Sequence, residues 1–229
     1  MLIQLKNTAK TFGKDESIVK AVKNVSLSIN EGDYVAVCGP SGSGKTTLLT
    51  MMAGMQHPTQ GKVYIDEISI YEDLDNDGLA KLRSEYIGFI FQAFNLIPYL
   101  TGLENILLPL APLKITTKDK KAMALEALKR VGMSDRAEHL PSELSGGQLQ
   151  RIAIARALVN KPLILFADEP TGNLDTVTRD EIMELFASLN RENHTIIMVS
   201  HDPVNIKEAG RQIEIIDGKI KEKNLQTTL

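Results

Sequence analysis

A chain of 229 residues, 43% of them hydrophobic, is long enough for one globular unit with a good core, or a core plus a subdomain, but not for two full domains. Its net charge of −3 offers no basic footprint for duplex nucleic acid, so nucleic acid is not an expected partner. A single cysteine, Cys38, excludes an internal disulfide, and no run reaches the roughly 18 apolar residues of a membrane span; a soluble chain in a reducing, cytoplasmic compartment is expected.

In chain order, LIQL (Leu2 to Leu5) and VKNVSLSI (Val22 to Ile29) alternate or cluster apolar residues as strands do. EGDYVAVCG runs as an apolar strand into a glycine-rich loop, and the following TLLTMMAGM is apolar and helix-permissive. KVYID (Lys62 to Asp66) and YIGFIFQ (Tyr86 to Gln92) read as further strands. From Ala93 to Asn160 the texture changes: LENILLPLAPL and KDKKAMALEALKRVGM have helical spacing, broken by Pro109 and Pro112, and predict a helical insert. Strand texture returns in LILFADE and TIIMVS, on either side of the amphipathic TRDEIMELFASLN, and RQIEIIDGKIKE closes the chain with an Asp-Gly hairpin signal. Strands alternating with helices predict an α/β chain with a largely parallel sheet and functional loops at its C-terminal edge.

GPSGSGKT, Gly39 to Thr46, matches G-x-x-x-x-G-K-T in the required context, an apolar strand before it and a helix after it. Glycines at Gly39, Gly42 and Gly44, with Pro40, Ser41 and Ser43 between them, let backbone N–H groups turn in around phosphates, and the helix N-terminus adds its dipole. Lys45 is placed to reach the β- and γ-phosphates of a nucleotide, Thr46 to coordinate Mg²⁺, and Thr47 to support the α-phosphate side. LILFADE delivers two carboxylates to the same sheet edge: Asp168 as a Mg²⁺ ligand through water, Glu169 as the general base for the water that attacks the γ-phosphate.

SELSGGQLQR, Ser142 to Arg151, raises a separate question, because two glycines open a second helix after one nucleotide is already accounted for. Ser145 reads first as an N-cap, with Gly146 and Gly147 in the loop. The same features also make an anion site, one that could receive the γ-phosphate bound by another copy of the chain.

LSGGQ, Leu144 to Gln148, resembles the signature of ATP-binding cassette ATPases, and the other motifs of that family occur in order along essentially the whole chain. The resemblance implies a single nucleotide-binding domain over 1–229. It would have a P-loop NTPase core (1–92 and 161–229), an N-terminal antiparallel β subdomain and an α-helical subdomain (about 93–160). It further implies head-to-tail dimers that sandwich two ATP molecules between the phosphate loop of one copy and Ser145, Gly146, Gly147 and Gln148 of the other. Carried over residue by residue, Phe12 in AKTFG is the adenine-stacking aromatic and Gln92 the glutamine that touches Mg²⁺ and the attacking water. On the same basis, Asp175 in TGNLD belongs to the loop that crosses the dimer interface, and His201 in VSHD is the switch histidine on the γ-phosphate. Leu149 departs from the pattern, since many relatives carry a polar or charged residue there.

FIFQAFNLIPYLTGLENILLPL, PSELSGGQ and FADEPTGNLD look like the branch of macrolide-type exporters, lipoprotein-release ATPases, cell-division ATPases and bacitracin-type peptide-resistance transporters. That likeness implies separate integral membrane permease subunits, a position on the cytoplasmic face of the membrane, and in some cases an accessory protein outside it. The stretch Phe94 to Leu113 is the expected docking surface. Two other functions stay open at this point: a soluble ATPase of the same fold that remodels nucleic acid or ribosomes, and an ATPase that gates a membrane-bound cell-wall or division complex.

Overall fold

A computed structural model describes residues 1–14 and 17–223, and among them the strands form two sheets. The first is antiparallel, with β1 (Ile3–Phe12) between β2 (Val19–Ile29) and β4 (Gln60–Ile65), and β5 (Ile68–Ser69) at the edge beside β4. The second contains β3 (Tyr34–Cys38), β6 (Ile87–Ile90), β7 (Ile164–Asp168), β8 (Thr195–Val199), β9 (Arg211–Ile216) and β10 (Lys219–Lys223). Its order is β10-β9-β3-β8-β7-β6, parallel except for the β9–β10 hairpin. The hairpin turns at Asp217 and Gly218, both left-handed (φ 48° and 76°), as an Asp-Gly turn requires.

The described α-helices are α1 (Lys45–Met52), α2 (Asn76–Tyr86), α3 (Gly102–Leu107), α4 (Thr117–Arg130), α5 (Gly146–Leu158), α6 (Thr176–Arg191) and α7 (Pro203–Glu208), of which α3 and α4 pack on α5. The runs YVAVC, ILFAD and TIIMV are nearly all apolar because β3, β7 and β8 are buried on both faces. Their side chains alternate between two cores. Ala36, Leu165, Ala167, Ile196 and Met198 face one that continues through α5 and α6 to α3 and α4. Val35, Val37, Ile164, Phe166, Ile197 and Val199 face the other, shared with α1 and the antiparallel sheet. None of the described helices is long and apolar enough to cross a membrane.

Three local expectations differ from the structure. The strand expected over residues 86–92 ends at Ile90, opposite Ala167, and the chain then turns through the left-handed Phe94 (φ 60°) and Asn95 (φ 50°), so Gln92 lies beyond the sheet in an exposed turn. Within the stretch read as a helical insert, residues 93–101 form a loop and the first helix begins at Gly102. Buried Asn105 ties down the preceding loop, accepting from Ile97 N (2.7 Å) and donating to the carbonyls of Ile97, Leu100 and Thr101 (3.2, 3.0 and 3.0 Å). Helix α2 has no counterpart in the sequence reading: it buries only Leu79 and Leu82, carries Gly78 in its first turn, and owes its start to the Asp75 cap on Gly78 N (2.8 Å). Cys38 is partly exposed at the end of β3.

Candidate active site

Between β3 and α1 the chain makes the tight loop that its glycines allow. Gly39 (φ 143°) and Gly44 (φ 102°) have no room for a side chain: a Cβ would lie 2.1 Å from the Ile215 carbonyl oxygen at the first and 2.1 Å from that of Ala21 at the second. These glycines are therefore required by the approach of β9 and β2 as well as by any ligand. Helix α1 starts without a side-chain cap and without an acidic residue in its first turn, so its orphan N–H groups and dipole remain available to an anion. Lys45 Nζ is folded back over the loop, donating to the carbonyls of Gly39 (3.0 Å) and Pro40 (2.9 Å). Ser43 Oγ is buried without a hydrogen-bond partner, 3.1 Å from where a Gly39 Cβ would stand. An orphaned hydroxyl, a buried ammonium and free helix N–H groups form a donor set that suits phosphate oxygens. Ser41, Gly42 and Thr46 are exposed along the loop, and Thr47 is half-buried behind it.

The parallel register sets Asp168 beside Val199, and Thr46 Oγ1 donates to Asp168 Oδ1 (3.1 Å), joining loop and β7. A hydroxyl paired with a carboxylate, both hard oxygen donors, suits Mg²⁺. Burial raises the Asp168 pKa above the usual carboxylate range, the nearby Glu169 adds to the rise, and the Thr46 bond and Lys45 oppose it. Glu169 follows in a left-handed conformation (φ 47°), its N–H donating to the Val199 carbonyl (3.0 Å). A carboxylate held in so sparsely populated a conformation is strain concentrated where the chain must turn its side chain out of the sheet. His201 Nδ1 lies 3.2 Å from Glu169 Oε1. Gln92 Nε2 and Glu169 Oε2 converge on the open side of Gly172, 3.4 and 3.5 Å from the position a Cβ there would take, and Asn173 Nδ2 donates to the Gln92 carbonyl (3.1 Å). Five expected residues, Thr46, Gln92, Asp168, Glu169 and His201, are thus joined around one sheet edge.

Phe12 is exposed at the end of β1, with Lys10 Nζ 5.2 Å from its ring centroid. It pairs with Val19, two residues along β2 from the Ala21 carbonyl that abuts the phosphate loop. Asp175 caps α6, accepting from Thr178 N (3.0 Å) and Thr178 Oγ1 (2.7 Å), and these bonds lower its pKa. Ser145 caps α5 in a reciprocal box: its Oγ accepts from Gln148 N (3.4 Å) and Gln148 Oε1 accepts from Ser145 N (2.9 Å). Gly146 and Gly147 stand inside the first turn of the helix, not in a loop before it. Ser145 and Gly146 are exposed, and the glycines' nearest neighbours are Leu174, in the turn before α6, and Thr178, in its first turn.

Two further residues went unremarked in the sequence. Arg156 donates to the carbonyls of Phe94 and Asn95 and so anchors the turn that carries Gln92, its burial lowering its pKa. Thr178 supports both the Asp175 cap and the packing of Gly147. A lone arginine on an amphipathic helix and a threonine near a helix start give no local sign of such roles.

A family model described as ABC transporter matches residues 22–172. The chain is 48% identical over 226 residues to the ABC transporter ATP-binding protein MJ0796 of Methanocaldococcus jannaschii, covering 96% of this chain and 95% of that one. It is 44% identical over 219 residues to YvrO of Bacillus subtilis, covering 96% and 95% of the two chains. It is 41% identical over 221 residues to the macrolide export ATP-binding/permease protein MacB of Marinobacter nauticus, of whose length it spans only 34%. A solved dimer of the MJ0796 cassette in a post-hydrolysis state, bound to ADP and Pi, superposes with a TM-score of 0.90 at 45% identity, over 98% of this chain and 99% of that one. Fold, motif order and likeness along nearly the full length agree: the chain belongs to the ABC transporter family, as one of its ATPase cassettes.

Proposed function

We propose that the chain binds ATP with Mg²⁺, closes head to tail with a second copy around two ATP molecules, and drives a separate integral membrane permease of exporter type. The observation that carries this reading is the division of the phosphate-binding features. The phosphate loop, Asp168, Glu169 and His201 gather at one sheet edge, while the Ser145 and Gly146 helix start stands exposed elsewhere on the surface. A γ-phosphate held by one copy and met by the exposed helix start of the other accounts for both, in an isologous contact.

Within that arrangement Lys45 exchanges the carbonyls of Gly39 and Pro40 for β- and γ-phosphate oxygens, and Ser43 Oγ gains the partner it lacks. Thr46, Asp168 through water and Gln92 would hold Mg²⁺, which when bound neutralises charge on those phosphates. Glu169 takes the proton of the attacking water. His201, with Nδ1 toward Glu169, presents Nε2 to the γ-phosphate. Phe12 stacks on adenine and Asp175 reaches across the interface. Loss of the γ-phosphate removes the contact made by Ser145, Gly146 and Gly147 of the other copy, so the closed form loses its advantage.

A groove of about 320 Å³, lined among others by Arg83, Phe89, Phe91, Pro109, Pro112 and Asn160, supports docking of a permease's cytoplasmic helix. A relative whose name joins ATP-binding and permease parts supports the pairing with a permease. In this reading the chain sits on the cytoplasmic face of the membrane, with an accessory protein beyond it. The composite site is tested by mixing two inactive variants, Lys45→Ala and Ser145→Arg. Head-to-tail dimers regain one intact site and measurable turnover, whereas no recovery at any mixing ratio sinks the arrangement.

A further inference from the structure

Beneath the pair Glu169 and His201 lies a cavity of about 150 Å³ whose lining includes Thr171, Ser200, His201 and Asn205. Asn205, in α7, is 1% exposed, and its Nδ2 donates to Thr171 Oγ1 (2.7 Å) and Ser200 Oγ (3.2 Å). Thr171 lies two residues after Glu169, and Ser200 immediately precedes His201, so one carboxamide joins the two loops whose side chains meet above it. Both hydroxyl residues are buried, and Ser200 N is fixed to β3 through the Val37 carbonyl (3.1 Å). Arg179 Nη1 holds Asp202 on the far side of the same loop (3.1 Å).

The arrangement has a cost, because Asn205 Oδ1 is buried without a partner. An apolar residue would fill the position without that cost, as Ile206 and Ala209 do nearby. What the carboxamide adds is a pair of donors that spans two loops. We propose that Asn205 is a positioning residue of the hydrolytic site, holding Glu169 and His201 in mutual register by tying Thr171 to Ser200. This rests on the roles given above to Glu169 and His201. An attacking water must be aligned closely, and a displacement of about 1 Å in its base costs on the order of 100-fold in rate.

The test is ATP turnover by the full chain carrying Asn205→Leu, which preserves volume and removes the donors. The expected result is a fall in kcat on the order of 10- to 100-fold with KM for ATP within about 2-fold of the parent, the split that marks an effect confined to the reacting geometry. The same substitution in a His201→Ala background, read by single-turnover hydrolysis, is expected to cause no further fall, because the register it supports is already lost. An unchanged kcat, or an equal fall in both backgrounds, overturns the proposal. Thr171→Val removes one end of the tie without touching α7 and carries the same expectations should Asn205→Leu fail to fold. Full turnover in Glu169→Gln and His201→Ala alone would instead count against the site assignment itself, whatever Asn205 does.

Discussion

His201 Nδ1 lies 3.2 Å from Glu169 Oε1, the histidine largely exposed and the glutamate mostly covered, so the ends of β8 and β7 meet through one imidazole and one carboxylate. With Glu169 as base, Glu169→Gln lowers kcat by about 10²- to 10⁴-fold while ATP still binds. Phosphate release and binding of a fluorescent ATP analogue separate the two. Turnover within a few-fold of the parent would show that the proton goes elsewhere.

Asp168 gives a pH-dependent prediction. Its pKa is raised in the folded chain, chiefly by burial, so the unfolded chain gives up this proton first. Ionisation therefore favours unfolding, and the penalty grows as pH rises from the ordinary aspartate value of about 3.9 to the folded value, then stays constant. Asp168→Asn, which keeps an acceptor for Thr46, raises the ligand-free urea midpoint at pH 7 relative to the parent. The gap narrows below about pH 4, where both carry a neutral group. Mg²⁺ with ATP reverses the ranking, since the parent alone offers a carboxylate to the ion. A midpoint difference that does not change with pH would refute this account.

The core strands were legible because burial on both faces demands unbroken apolar runs, and YVAVC, LILFADE and TIIMVS satisfy that demand locally. The phosphate loop and the acidic pair were legible for the same reason, each being contiguous and tied to a strand end. Helix α2 was not, since two buried leucines over eleven residues leave almost no period to read. The end of β6 depends on its pairing with β7, a partner more than 70 residues away, and nothing local in YIGFIFQ marks Ile90 as the last residue. Arg156 and Asn205 act through side chains that reach other loops, while Thr178 acts by packing on Gly147 of α5. Only the tertiary structure brings those loops within hydrogen-bonding distance.

Asn105 anchors a loop outside the site. It is fully buried and makes four hydrogen bonds to the backbone of residues 97–101. Asn105→Ala leaves those backbone groups to find water in a covered place, at about 1–3 kcal/mol for a buried group without its partner. A loss of about 2–3 kcal/mol is expected in urea unfolding, with loosening of the loop before α3 seen first in hydrogen exchange. A change below about 0.5 kcal/mol, the range of ordinary surface substitutions, would mean that the loop holds itself.

Gly147 separates two reasons for a glycine in the signature. A Cβ there would lie 2.4 Å from Thr178 Cγ2, and Thr178 cannot rotate away freely because its Oγ1 donates to Asp175 Oδ2 (2.7 Å). Alanine would gain about 1 kcal/mol in helix propensity, but overpacking costs about 1–3 kcal/mol, so Gly147→Ala should be net destabilising and should shift the start of α5 against the Asp175 loop. Thr178→Ser removes the clashing methyl and keeps the hydroxyl on Asp175. The single Thr178→Ser change is expected to be nearly neutral, and adding it to Gly147→Ala should restore stability and ATP-dependent dimerisation, with a coupling of about 0.5–3 kcal/mol. Urea unfolding and light scattering of the four proteins in the cycle decide the matter. If Thr178→Ser rescues nothing, the glycine is required for what approaches the helix start from outside, not for its packing on α6.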